Sequence, residues 1–76
     1  MMLSPSERPD MDFASVPASL KGRVLRSTED MIEFMHNDVK MTLYPNGSVM
    51  FYKFNDPEIA ERYADDLMST IGVTVI

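Results

Sequence analysis

Two chain reversals eight residues apart dominate this sequence, because each sets a strand register and the two registers must agree. Asn37-Asp38 pairs two residue types that tolerate positive φ, which suits a two-residue hairpin turn. Pro45-Asn46-Gly47 follows. Proline sets φ at the first turn position, Asn suits the second, and Gly takes the left-handed position of a bulged hairpin. The flanking segments, residues 31–35, 39–44 and 48–54, are rich in apolar, β-branched and aromatic side chains and read as three strands of an antiparallel meander.

The first turn sets Phe34 opposite Met41 and Ile32 opposite Leu43. The second sets Leu43 opposite Val49 and Met41 opposite Phe51. Side chains alternate along a strand, so Ile32, Phe34, Val39, Met41, Leu43, Val49 and Phe51 share one face, a continuous apolar core surface. The other face carries Met31, Glu33, Met35, Lys40, Thr42, Tyr44, Met50, Tyr52 and Phe54. It is more apolar than an ordinary solvent face.

A helix follows. Asn55-Asp56-Pro57-Glu58 joins a capping side chain to a proline in the first turn, where its missing N–H costs nothing. Ile59, Ala60, Tyr63, Ala64, Leu67, Met68 and Ile71 form one apolar stripe, Glu58, Glu61, Arg62, Asp65 and Asp66 the solvated side, and Gly72 the stop. Residues 73–76 read as a short final strand. Upstream, residues 23–26 read as a strand after Gly22, and residues 17–20 as a helical turn. Residues 1–15 read as a flexible or loosely docked tail, with Phe13 and Val16 anchoring its end. The expected architecture is α+β: a mainly antiparallel β-meander with one long C-terminal helix packed on one face and a short final strand, a two-layer sandwich. Residues 16–76 form one small domain in this reading.

The balance of charge is acidic, with a net charge of −5, which works against non-specific binding to nucleic acid or anionic membrane. No cysteine is present, which removes disulfides, thiolate metal sites and a cysteine nucleophile. No apolar run reaches the roughly 20 residues that span a bilayer, and the first ten residues lack the apolar core of a secretion signal. A cytoplasmic location is the expectation. His36 is the only histidine, and beside the Asn37-Asp38 turn it reads as a turn or surface residue with Asp38 as its one nearby ligand type. Asp65 and Asp66 are adjacent on the helix and diverge by about 100°. Ser4, Ser6, Ser15 and Ser19 lie in flexible or turn-like sequence with no partnered base, and Gly22, Gly47 and Gly72 are isolated rather than part of a phosphate-binding loop. No catalytic set, cofactor or metal site is expected. Lys21, Arg23 and Arg26 read as the charged protection of an edge strand.

The stretch MTLYPNGSVMFYKFNDPEIAERYADDL, residues 41–67, resembles half of the saddle of the TATA-box-binding protein, in which a curved antiparallel sheet carries a long helix on its convex side. It is similar also to small uncharacterised archaeal proteins with one such half, and to a string that closes some adenylating enzymes of the sulfur-carrier pathway. The resemblance to the saddle implies that the face opposite the helix corresponds to the one that grips DNA. The residues themselves favour a non-catalytic module. It would bind a protein partner or a second copy through Met31, Met35, Lys40, Tyr44, Met50, Tyr52 and Phe54, since aromatics and Met are enriched at interfaces. Nucleic-acid association through the same aromatics with Arg23, Arg26 and Lys40 is the alternative.

Overall fold

The computed structural model describes residues 1–6 and 9–72; the strand expected at 73–76 lies outside them. Five antiparallel strands form one sheet: β1 (Met2–Leu3), β2 (Val24–Ser27), β3 (Ile32–His36), β4 (Val39–Leu43) and β5 (Val49–Phe51), in the spatial order β1-β5-β4-β3-β2. A short helix α1 (Val16–Ser19), preceded by one turn of 3₁₀ helix at Phe13–Ser15, leads into β2, and the long helix α2 (Pro57–Thr70) closes the described chain. The α+β sheet-and-helix architecture is the one expected.

Both turns adopt the conformations their residues favour. Asn37 and Asp38 have φ of 47° and 65°, the doubly left-handed pair of a tight hairpin, and His36 faces Val39 across it. At the second turn the Gly47 N–H donates to Tyr44 O and the Tyr44 N–H to Ser48 O, both at 2.9 Å, with Gly47 at φ +91°. The registers follow: Phe34 opposite Met41, Ile32 opposite Leu43, Leu43 opposite Val49 and Met41 opposite Phe51. On that face Ile32, Phe34, Met41, Leu43, Val49 and Phe51 are buried, and Ala60, Leu67 and Met68 of α2 join them, with Val16 and Leu20 from α1. The helix starts as its sequence dictates. The Asp56 side chain accepts from the Ile59 N–H at 3.2 Å, and Pro57 occupies the first turn.

The N-terminal segment pairs along the sheet edge. Met2 pairs with Met50 and Leu3 with Val49, and the Phe51 N–H donates to Met1 O at 2.7 Å. Leu3 thus lies on the core side, and Met1, Met11 and Phe13 also pack against the core, so this segment contributes to the helix-bearing side. Pro5 and Pro9 lie against Gly47, and Ser4 Oγ is 3.1 Å from Ser48 Oγ.

β5 is shorter than the sequence suggests. It ends at Phe51, Tyr52 and Lys53 turn, and Lys53 sits at φ +52°. The turn breaks the two-residue alternation and carries Phe54 back to the helix side. Its ring stacks on those of Phe51 and Tyr63, with centroids 5.9 Å apart in both pairs.

Candidate functional site

The face opposite α2 is crossed by rows of side chains set by the ladder. One row runs Met2, Met50, Thr42, Glu33, Arg26 from β1 to β2. Beside it Lys40 faces Met35, and Tyr52 lies next to Lys40, its N–H donating to Lys40 O at 3.0 Å. At the other end Met31 and Tyr44 sit one step beyond the Ile32–Leu43 pair. The helices contribute their buried residues to the opposite, core side, so among the described residues no element lies across this face.

Six of the seven expected site residues are therefore brought together: Met31, Met35, Lys40, Tyr44, Met50 and Tyr52. Phe54 is the correction, since the turn at Tyr52-Lys53 places it in the aromatic stack under α2. Met2 joins the face instead, 45% exposed, through the pairing of β1 with β5. A two-residue strand has no periodicity to read, so only its opposition to Met50 reveals its side.

The face has its own order. Tyr52 is 41% exposed, yet its hydroxyl reaches Thr42 Oγ1, which donates to it at 3.4 Å, and Thr42 is fully buried without any helix above it. Lys40 Nζ sits 4.9 Å from the centre of the Tyr52 ring and 3.5 Å from Glu33 Oε2. A cation over an aromatic face is attracted by the ring's quadrupole, and the Glu33 carboxylate is within ion-pair reach of the same cation. Lys40 and Thr42 thereby hold a partly exposed tyrosine ring in place. The same face carries half-buried methionines, Met35 on β3, Met50 on β5 and Met31 just before β3, which add flexible, polarizable surface. Beside Met2 and Tyr44, a shallow groove of about 460 Å³ continues the surface to Pro45, Asn46 and Ser48.

Both sheet edges are blunted. β1 is two residues long and is followed by Pro5. β2 carries a register shift between Val24 and Arg26, which leaves Leu25 57% exposed beside a charged neighbour. Short, bulged and charged edges resist strand addition. The broad face is the larger apolar surface left to a partner.

The basic residues are dispersed. Arg23 turns to the helix side, where its Nη1 lies 3.0 Å from His36 Nδ1, while Arg26 stays exposed on the open face. His36 departs from the turn-or-surface expectation. The alternation of β3 aligns it with Ile32 and Phe34, its side chain is 14% exposed, and its ring meets Tyr63 edge-on at 4.7 Å. Asp66, not Asp38, is its carboxylate neighbour, at 3.8 Å. Among the described residues no group of three His, Cys, Asp or Glu side chains is placed to hold a metal ion, and no helix is long and apolar enough to cross a membrane. No family model, curated protein or solved structure matches the chain.

Proposed function

We infer that the protein is a non-catalytic binding module whose working surface is the open sheet face, and that its partner is a protein, either a second copy or a different chain. The observation that carries this reading is the Tyr52 ring. An aromatic ring held by Lys40 and Thr42, on a face shared with Met35 and Met50, presents apolar area at small entropic cost beside an adaptable surface. Anchors of this type dominate interface energetics, with losses of about 2 kcal/mol or more on truncation.

Nucleic-acid association, which the resemblance of residues 41–67 to a TATA-box-binding-protein half suggests, is the second reading. It draws on the same face, with Arg26 exposed beside it. Two features weigh against it. Lys40 is neutralised by Glu33, and Arg23 is directed to His36 on the other side of the sheet.

The test is association of Tyr52→Glu. Sedimentation over a range of concentrations measures self-association, and capture from nuclease-treated lysate measures partner binding. The reading predicts that whichever association the wild-type chain shows weakens by at least about 30-fold, the equivalent of a hot-spot loss of about 2 kcal/mol, with the circular dichroism spectrum unchanged. Association that survives the substitution, or that vanishes when nuclease is added to the wild-type sample, overturns it.

A further inference from the structure

On the opposite side of the sheet, one cluster is not used by the binding face. His36 lies where three parts of the chain meet: the lead-in to β2, the end of β3, and α2. Arg23 Nη1 is 3.0 Å from His36 Nδ1. A guanidinium nitrogen only donates, so Nδ1 accepts and the ring proton resides on Nε2. That Nε2 is buried and has no hydrogen-bond partner; Asp66 Oδ2 lies 3.8 Å away, too far for a hydrogen bond but close enough for attraction. The groups facing the imidazole are Arg23 from the lead-in to β2, and Tyr63 and Asp66 from α2. On its own hairpin, Asp38 is exposed at the turn.

Arg23 is also the clasp of a strained corner. Its backbone N–H and its Nε both donate to Leu20 O, at 3.1 and 3.4 Å, across Lys21 and Gly22, whose φ values are 42° and 80°. Lys21 is a side-chain-bearing residue in the left-handed region, a conformation that persists only when its surroundings hold it. Beside this corner an open cleft of about 590 Å³, lined by Ser19, Leu20, Lys21, Arg23 and Thr70, separates the end of α1 from the last turn of α2.

We propose that His36 is a proton-operated latch: neutral, it accepts a hydrogen bond from Arg23 at the α1–β2 corner; protonated, it drops Arg23 and pairs with Asp66 of α2. A proton taken up from solvent at Nδ1 puts a donor against a donor and a cation against a cation, so the Arg23 hydrogen bond is lost. The same charge strengthens the attraction of Nε2–H for the Asp66 carboxylate. Asp66 is 56% exposed, so that gain is screened by solvent, whereas the clash with Arg23 acts at hydrogen-bond distance. The Arg23–His36 hydrogen bond is present while the imidazole is neutral and is lost when it is protonated.

The experiment is a pair of double-mutant cycles in the full chain, measured by urea unfolding at pH 8 and pH 5, the range in which an imidazole ordinarily gains its second proton. One cycle joins Arg23→Gln with His36→Phe, which keeps a ring against Tyr63; the other joins His36→Phe with Asp66→Asn. At pH 8 the first coupling is expected to favour folding several-fold in the equilibrium constant, and to vanish or reverse sign at pH 5. The second is expected to appear only at pH 5. Couplings that do not change with pH overturn the latch. Nitrogen-15 spectra of the wild-type imidazole give a test that needs no variant to fold: at pH 8 the proton is expected on Nε2, and a proton on Nδ1 refutes the proposal.

Discussion

Replacing Gly47 by alanine probes how the N-terminal segment is held. Gly47 has φ +91°, so any side chain there is strained. A methyl group would also sit 2.5 Å from Pro9 Cδ, 2.6 Å from Pro9 Cγ and 3.0 Å from Pro5 Cγ. Gly22 supplies the reference: its φ is +80° and a methyl there meets nothing within 4 Å. Gly22→Ala is therefore expected to cost the backbone term alone, about 1–2 kcal/mol. Gly47→Ala adds an overpacking term of about 1–3 kcal/mol. The added term has a ceiling, because the prolines can lift away and forfeit only the docking of the segment. Urea unfolding of both variants, each alone and with Pro9→Ala, measures the difference. The excess cost of Gly47→Ala over Gly22→Ala should shrink when the Pro9 ring is removed. Exchange of the Phe51 amide, whose acceptor is Met1 O, should accelerate in Gly47→Ala if the segment lifts. Equal costs for the two glycines, or an excess that Pro9→Ala leaves untouched, would refute the close approach.

Phe54→Ala should cost about 2–4 kcal/mol, since the ring is stacked between Phe51 and Tyr63, whereas Tyr52→Ala should cost less than about 1 kcal/mol; chemical unfolding that reversed this order would contradict the assignment of the two rings to opposite sides. Asp56→Ala should lower stability by about 1 kcal/mol through loss of the cap on the Ile59 N–H, read as a shift in the urea midpoint at constant slope.

The meander was legible because its information is local. Asn37-Asp38 and Pro45-Asn46-Gly47 each specify a turn, each turn specifies a register, and the two registers put the same residues on one face. The start of α2 was legible for the same reason, since Asp56 and Pro57 act within one turn. What sequence reading missed depends on contacts distant in the chain or on a break in alternation. Met2–Leu3 becomes a strand only because β5 offers an edge, and two residues carry no pattern. The alternation of β5, extended through Lys53, points Phe54 to the open face, and lysine is a residue type that gives no warning of φ +52°. His36 stands next to a turn, which suggests a surface position, yet the alternation that places Ile32 and Phe34 in the core extends to it as well. Five of the six methionine and aromatic residues expected on the open face are there because the register that buries the core necessarily turns them the other way.

The eight methionines make the central claim directly measurable. In a chain labelled with carbon-13 at its methionine methyls, Met2, Met31, Met35 and Met50 report on the open face, while Met41 and Met68 report on the buried core. Spectra recorded at rising protein concentration, and then in nuclease-treated host lysate, test whether that face engages a protein. The account predicts shifts or broadening at Met2, Met31, Met35 and Met50, with Met41 and Met68 unmoved. Unchanged spectra under both conditions, or changes that spare the open-face methyls, would contradict it.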